Sequence, residues 1–467
     1  MLGEKIFPKE SPLIVSVSGV RGIVGESLTL ETVLGFSAVL GRSLTQEHGL
    51  GCKALVAGDG RPSGEALRMA AAAGLAGQGC DVIDLGVIPT PTVGVSVREW
   101  GAAGAIQVTA SHNSAPYNGL KLFHKEGRVY PSGPGKILAE RFAEGPPKIN
   151  RHDRCGRIQT PMALGLLDPV QFHIGKALSL GDLAAIKNRK FRVLVDANGG
   201  SGGPAVTQLL RQLGVLVVEV GCDPNGKFVH EPEPTALNLM GLSQRVAAER
   251  VDLAVVVDPD CDRLALMDSN GLFIGEEYTL ALATAHCLRT EPGPVVINLS
   301  TSNLTAEVAK RAKVPIYRSP VGEANVVDMM REKKATIGGE GNGGVIDPRI
   351  GWVRDPLAGI VRILSLLAMD GKSLTDWLRL LPPFEIVKEK LQLDRSRLDE
   401  LAKRVEQTLP GAEVDRRDGI RLDWAGRWVQ LRASNTEPIV RVIAEAEGLD
   451  EAKQLVKTVL DLGQAFQ

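Results

Sequence analysis

At 467 residues the chain is too long for one core, and a guide of roughly 150 residues per domain puts it near three domains. Its 44% hydrophobic and 23% charged residues are ordinary for a globular protein, and a formal net charge of −1 sets up no global field for nucleic acid or an anionic membrane. An aromatic content of 4% argues against a base-stacking platform, so any phosphate-bearing ligand must be caught by local arginines and backbone amides.

Taken in order, Met1 to Pro12 lacks the apolar core of a signal peptide, and no run approaches the ~20 apolar residues of a membrane helix. The six cysteines (Cys52, Cys80, Cys155, Cys222, Cys261 and Cys287) contain no C-x-x-C pair, so the expectation is a cytoplasmic protein with reduced thiols and neither membrane nor nucleic-acid partners. Leu13 to Val17 reads as a strand leading into Ser18-Gly19-Val20-Arg21-Gly22, where the glycines leave Arg21 free to reach inward. From Thr29, Val33, Leu34, Phe36 and Leu40 follow helical spacing. Ala54–Ala57 and Asp81–Leu85 read as strands around an alanine-rich helix that starts at Ser63. Pro89-Thr90-Pro91-Thr92 reads as a turn.

Ala105, Ile106 and Val108 form a further strand, which runs into Thr109-Ala110-Ser111-His112-Asn113. A serine at the carboxyl end of such a strand stands where open α/β sheets bind ligands. The Gly/Pro-rich Tyr130 to Gly135 and the polar Arg151 to Gly156 lie near the end of this first unit. A second begins with the strand Phe191 to Asp196. It passes through Asn198 to Gly203, a tight strand-to-helix turn that lacks the Lys-Ser/Thr ending of a nucleotide loop, to the strand Val215–Val220. The strand Val251–Val257 then delivers Asp258-Pro259-Asp260-Cys261-Asp262-Arg263, and Leu264 to Met267 continues as a strand. Three carboxylates at alternate positions repel one another, and a hard divalent cation with oxygen ligands resolves the conflict.

A third unit alternates helices at Glu276–Leu288 and Leu304–Ala312 with the strand Val295–Ile297, and Val321-Gly322-Glu323 opens another helix. Ala335–Ile337 leads into a loop, Gly338-Gly339-Glu340-Gly341-Asn342-Gly343-Gly344, whose carboxylate and amide suit sugar hydroxyls. After Pro382-Pro383, the helix Arg397–Leu409 precedes the strands Trp428–Leu431 and Ile439–Val442. The turn between those strands carries Arg432, Ser434, Asn435 and Thr436, an anion cradle by composition.

These motifs, in this order, resemble those of the α-D-phosphohexomutase family, the group of phosphoglucomutases, phosphomannomutases and phosphoglucosamine mutases, over nearly the whole chain. The resemblance implies three similar α/β domains with mixed, largely parallel sheets and a smaller C-terminal α+β domain around a central cleft. The expected boundaries are 1–155, 156–272, 273–380 and 381–467. It implies an isomerase that interconverts hexose 6-phosphate and hexose 1-phosphate through phosphoserine at Ser111 and a 1,6-bisphosphate intermediate. One Mg²⁺ per chain would be held by Ser111, Asp258, Asp260 and Asp262, with a hexose 1,6-bisphosphate as activator. Lys121 takes the proton-handling role, Arg21 and Arg263 stabilise charge, and His112 orients the loop or contacts the transferring phosphate. Glu340 and Asn342 read the sugar, while Arg432, Ser434, Asn435 and Thr436 grip the phosphate that is not reacting.

Small hexose phosphates are the expected partners of a monomer or homodimer. The Gly338–Gly344 loop and the Asn435-Thr436-Glu437-Pro438 ending look most like phosphoglucosamine mutases, with phosphomannomutase/phosphoglucomutase as the alternative. A metal-dependent serine phosphatase and a non-catalytic sugar-phosphate sensor are more remote readings; the first needs no separate sugar and phosphate loops, and the second would have lost the serine or an aspartate. Three departures from the family pattern stand out. Ser114 replaces a usual proline, Cys261 a usual small residue between metal ligands, and Gly344 a histidine found in many phosphomannomutase/phosphoglucomutase members.

Overall fold

The structure is a computed structural model that describes residues 13–16, 19–433 and 439–464. The chain forms two compact units, the first from Met1–Gly275 and Gly344–Gly371, the second from Glu276–Gly343 and Lys372–Gln467.

The first unit opens with β1 (Ile14–Ser16), β2 (Gly19–Ile23), α1 (Leu30–His48), β3 (Lys53–Gly58), α2 (Gly64–Ala76), β4 (Asp81–Val87), α3 (Thr90–Glu99), β5 (Gly104–Val108), β6 (Tyr117–His124), β7 (Arg128–Val129), α4 (Ser132–Glu144) and β8 (Ile158–Gln159). Their sheet runs β1-β2-β6-β5-β3-β4-β8, with β7 on β6. It is parallel from β5 to β8 and antiparallel from β1 to β5. Alternate residues of the central strands feed opposite faces. Val56, Ile106 and Val108 pack with Phe36, Leu40 and Leu75 of α1 and α2, while Leu55, Ile83 and Ala105 pack with Val93 and Val97 of α3. Cover on both faces explains why these strands read as unbroken apolar runs.

Pro89–Thr92 is not a turn, as its two prolines led us to expect. Pro89 is the N-cap of the ten-residue α3, and Pro91 sits in the first turn, where its missing N–H costs nothing. The same tolerance lets α4 begin inside the Gly/Pro-rich stretch at Ser132.

The second sheet follows α5 (Pro169–Leu178) and α6 (Leu183–Arg189), two helices with no counterpart in the sequence reading. It uses β9 (Arg192–Asp196), α7 (Gly202–Gln212), β10 (Leu216–Val220), α8 (Met240–Glu249), β11 (Leu253–Val257) and β12 (Leu264–Asp268), in the order β10-β9-β11-β12. Only β12 is antiparallel to its neighbour.

In the second unit, α9 (Glu277–Thr290), β13 (Val295–Asn298), α10 (Asn303–Arg311), β14 (Ile316–Ser319), α11 (Glu323–Lys333) and β15 (Ile337–Glu340) form a third α/β layer, with β13 parallel to both β14 and β15. Gly338, Gly339 and Glu340 therefore end a strand, and the turn itself is confined to Gly341–Gly343. The chain returns to the first unit for β16 (Gly344–Ile346) and α12 (Pro356–Asp370).

The second unit finishes with α13 (Leu374–Leu378), β17 (Glu385–Gln392), α14 (Leu398–Thr408), β18 (Glu413–Asp415), β19 (Ile420–Trp424), β20 (Arg427–Ala433), β21 (Ile439–Ala446) and α15 (Leu449–Gln464). Its antiparallel sheet, β17-β21-β20-β19-β18, packs on α14 and α15 through Leu401, Val405, Leu455 and Val459. The expected architecture of three mixed or parallel α/β layers and a smaller C-terminal antiparallel one is present. No described helix is long and apolar enough to cross a membrane.

α12 is buried on every side from Pro356 to Leu367, which places Arg362 in the core at 0% exposure. Its Nε and Nη2 both donate to Asp347 Oδ2, at 2.9 and 2.7 Å. Asp347 also pairs with Arg349, but that side chain is one-third exposed, so removing Arg362 takes away the carboxylate's fully buried cation. Arg362→Met should therefore cost about 2–4 kcal/mol in chemical denaturation, whereas exposed Arg379→Met should cost about 0.5 kcal/mol or less.

Candidate functional site

The loop after β5 is held by one arginine. Ser111 is 4% exposed and adopts φ +49°, a left-handed conformation that a serine keeps only when its surroundings impose it. The Ser111 N–H donates to Thr109 Oγ1 (2.8 Å), and that hydroxyl donates to Asp59 Oδ2 (2.6 Å). Asp59 Oδ2 in turn accepts from Arg61 Nε at 3.1 Å. The remaining donors of Arg61 reach four carbonyls of the loop: Ser111 (2.7 Å), Asn113 (2.6 Å), Ser114 (3.0 Å) and Tyr117 (2.8 Å). All five N–H donors of the guanidinium are thus used. Burial raises the pKa of the Asp59 carboxyl, with Arg61 opposing the rise. Ser114, where the family pattern usually has proline, is fixed through its carbonyl by this clamp.

β11 is buried along its whole length and ends at a turn closed by the Cys261 N–H donating to the Asp258 carbonyl (2.8 Å). Asp258, Asp260 and Asp262 are at most 1% exposed, and one carboxylate oxygen from each lies within 4.8 Å of the others. Asp258 Oδ1 accepts the N–H groups of Asp262 and Arg263, both at 3.0 Å, while Asp258 Oδ2 accepts from Ser111 Oγ at 3.1 Å. Asp260 Oδ1 and Asp262 Oδ1 are buried with no hydrogen-bond partner. Orphaned oxygens on clustered carboxylates fit a hard divalent cation, and an all-oxygen set favours Mg²⁺ over softer metals. The Cys261 sulfur is no part of this set. It packs against Gly202 at the start of α7, and burial raises its pKa well above the usual thiol value.

Cations surround the aspartates. Lys121 Nζ lies 2.6 Å from both Asp260 Oδ2 and Asp262 Oδ2. In the β2–β6 register Arg21 faces Gly119 and Gly19 faces Lys121, so Arg21 and Lys121 are diagonal neighbours on one face. Arg21 Nη1 donates to Asn113 Oδ1 at 2.6 Å. Burial lowers the pKa of Arg21. Asp258 has its pKa raised by burial and by the neighbouring Asp260 and Asp262. For Asp262 burial also pushes upward, but Arg354, Lys121 and Arg263 together bring it below the usual carboxylate range. His112 Nδ1 lies 3.3 Å from Ser111 Oγ, and Arg263, burial and Arg21 pull its pKa down to about 2, leaving a neutral imidazole. Glu233 touches both His112 Nε2 (3.8 Å) and Arg263 Nη1 (3.5 Å).

Five contributors to this site went unread in the sequence: Asp59, Arg61, Thr90, Glu233 and Arg354. Thr90 Oγ1 donates to Asp260 Oδ2 (2.7 Å), and Arg354 Nη2 to Asp262 Oδ2 (2.6 Å). Arg354 stands 92 positions from its partner, so no local pattern could reveal it. Asp59-Gly60-Arg61, at the end of β3, did carry a signal, because carboxyl ends of parallel strands line such sites.

The second unit carries the other expected contacts. Glu340, 5% exposed, ends β15 and accepts from Asn298 Nδ2 (2.9 Å) and the Gly322 N–H (3.1 Å). Asn342 follows in the turn with a buried Oδ1 that has no hydrogen-bond partner. Gly341 passes so close to Glu277 that a Cβ there would lie 2.1 Å from its buried carboxylate, which any side chain would have to displace. Arg432 lies at the end of β20, with Nε donating to Asp418 Oδ2 at 3.2 Å. Ser434, Asn435 and Thr436, and Ser18 in the first motif, lie outside the described residues.

Four family profiles match the chain. They are described as phosphoglucomutase/phosphomannomutase alpha/beta/alpha domains I, II and III and the C-terminal domain, at residues 13–146, 173–271, 275–384 and 388–462. Among named proteins, the chain is 34% identical over 447 residues to "Phosphoglucomutase/phosphomannomutase" of Thermococcus kodakarensis, covering 95% of this chain and 97% of the relative. It is 32% identical over 450 residues to "Probable phosphoglucosamine mutase" of Methanopyrus kandleri, with 95% and 96% covered. A crystal structure of a phosphoglucomutase/phosphomannomutase family protein from Burkholderia thailandensis superposes with a TM-score of 0.83 at 26% identity, covering 97% of each chain.

The Arg61 clamp can be tested directly. Arg61→Lys keeps the charge beside Asp59 but offers three donors in place of the planar fork. Amide hydrogen exchange across residues 109–117 should speed up about tenfold or more, since losing one charge-assisted bond costs roughly 1.5 kcal/mol. Exchange in β9 and β11 should not change.

Proposed function

Since the chain belongs to the phosphoglucomutase/phosphomannomutase family of α-D-phosphohexomutases, which are isomerases, we propose that Ser111 is the phosphoryl carrier and that glucosamine phosphate is the preferred substrate. The observation that carries the first part is Ser111 Oγ, hydrogen-bonded to Asp258 of three clustered aspartates, the other two of which pair with Lys121.

The reaction consists of two phosphoryl transfers. Phosphoserine 111 passes its group to a free hydroxyl of the hexose monophosphate, giving a 1,6-bisphosphate, and Ser111 Oγ then takes the other phosphoryl group. The proton lost by the attacking hydroxyl is handled by Lys121, which returns one to the oxygen that is released. Arg21 and Arg263 face the charge spread over the phosphoryl oxygens. His112, neutral, accepts hydrogen bonds beside the serine and orients its oxygen. Asp258, Asp260, Asp262 and Ser111 would hold one Mg²⁺, which supplies charge neutralisation at the phosphoryl oxygens. The same bisphosphate, added in trace, primes Ser111. In the second unit Arg432, with Ser434, Asn435 and Thr436, grips the phosphate that is not reacting, and Glu340 and Asn342 contact the sugar hydroxyls.

For the sugar, Glu340 presents a carboxylate that can pair with a C2 ammonium, a charge-assisted bond that no C2 hydroxyl matches. A relative at 32% identity carries the name "Probable phosphoglucosamine mutase". The second reading, phosphoglucomutase/phosphomannomutase, is favoured by the relative at 34%.

Protein charged with hexose 1,6-bisphosphate should gain one phosphoryl mass, located at Ser111 by tandem mass spectrometry. Ser111→Ala should lose that mass and mutase turnover, and full turnover by this variant would refute the assignment. Asp260→Asn should weaken Mg²⁺ binding about tenfold or more, read by calorimetry, because the ion loses a negative ligand.

Under matched bisphosphate activation, kcat/KM should be highest for glucosamine phosphate, with measurable turnover of glucose or mannose phosphate. A glucose or mannose preference would overturn the sugar assignment and leave the mutase chemistry standing.

A further inference from the structure

Within the second unit, Arg432 and Glu340 are joined by a closed ring of hydrogen bonds. Asp418 Oδ2 accepts from Arg432 Nε at 3.2 Å and from the backbone N–H of Val321 at 2.9 Å. The next backbone N–H, that of Gly322, donates to Glu340 Oε1 at 3.1 Å, and the same oxygen accepts from Asn298 Nδ2 at 2.9 Å. Asn298 Oδ1 accepts the Ser300 N–H at 2.9 Å, and Ser300 Oγ donates to Gln430 Oε1 at 2.6 Å. Gln430 Nε2 closes the ring on the Asp418 backbone carbonyl at 3.1 Å.

Two further features fix Asp418 where it is. Gly419 adopts φ +70°, and a Cβ there would meet the Leu431 carbonyl oxygen at 2.0 Å, so the turn after Asp418 is pressed against the residue before Arg432. Arg432 also stands directly opposite Arg441 in the β20–β21 register, a like-charge pair that needs a counter-ion, and Asp418 supplies it. Asn298 and Gln430 are at most 4% exposed, so much of the ring is shielded from water, where hydrogen bonds hold geometry firmly.

We propose that Asp418 is a positioning residue that orients Arg432 and, through the consecutive amides of Val321 and Gly322, couples the phosphate-gripping arginine to the sugar-reading glutamate. The two side chains then present phosphate and sugar contacts at a set spacing. A hexose phosphate of the wrong shape cannot satisfy one without disturbing the other. This rests on the reading of Arg432 and Glu340 as substrate contacts, and the test separates the two claims.

The experiment measures kcat and KM for glucosamine, glucose and mannose 6-phosphates in Asp418→Ala, Asp418→Asn, Arg432→Ala and the Asp418→Ala/Arg432→Ala double variant, with circular dichroism as a check on folding. Asp418→Ala should raise KM about tenfold with kcat held within about threefold, and should narrow the kcat/KM spread among the three sugars. Asp418→Asn, which keeps an acceptor oxygen, should recover part of the KM effect and serves alone if the alanine variant does not fold. In the Arg432→Ala background the aspartate change should add no further rise in KM. If Arg432→Ala raises KM while neither aspartate variant does, or if the aspartate effect persists in full without Arg432, Asp418 does not act through the arginine and the proposal fails. If Arg432→Ala leaves KM unchanged, the reading of Arg432 as the phosphate grip fails, and the proposal falls with it.

Discussion

Three aspartates at most 1% exposed, with ligand atoms within 4.8 Å of one another, set the terms for the rest of the first unit. Carboxylates that close raise each other's energy, and burial removes the water that would screen them. The fold answers with positive charge from separate places in the chain: Lys121 on β6, Arg263 after the acidic turn, and Arg354 before α12. Two carboxylate oxygens remain without partners even so. A cluster held this way has capacity for a cation. The Ser111 hydroxyl bonds to Asp258 at the edge of this cluster.

Holding the serine loop still is a separate problem, and it has a separate solution. Buried carbonyls need donors, and a loop between two strands has few regular backbone partners to offer them. Arg61 supplies four of them while its fifth N–H meets Asp59. The cost of burying one guanidinium is offset by placing a hydrogen bond on each nitrogen proton. The second unit follows the same logic with weaker parts. There a ring of neutral and charged hydrogen bonds connects Arg432 to Glu340, and no single residue holds it all.

Much of this arrangement was legible in the order of the residues. Strand–helix alternation, the acidic turn behind Leu253–Val257 and the serine after Val108 rest on local patterns whose physics is local. Apolar runs with period two or without break mark strands covered on one face or on both. Less legible were the places where local rules compete. Pro89–Thr92 carries turn residues, yet the same prolines suit a helix start, and only the packing of Val93 and Val97 under β3, β4 and β5 decides between them. Gly338-Gly339 reads as part of a loop from its glycines but pairs with β13, because a glycine in a strand allows close contact with a neighbouring backbone.

The sequence by itself determined the kinds of elements, the placement of the acidic turn and the serine at strand ends, and the family to which the chain belongs, because each depends on residues close together or on motifs in order. Only the tertiary structure decided which distant side chains complete those motifs. Arg354 reaches Asp262 across 92 positions, Thr90 reaches Asp260 across 170, and Asp418 meets the Val321 amide across 97. Contacts of that kind follow from how strands are ordered in a sheet and how helices return the chain to it. That ordering is a property of the whole packed core, and no window of sequence contains it.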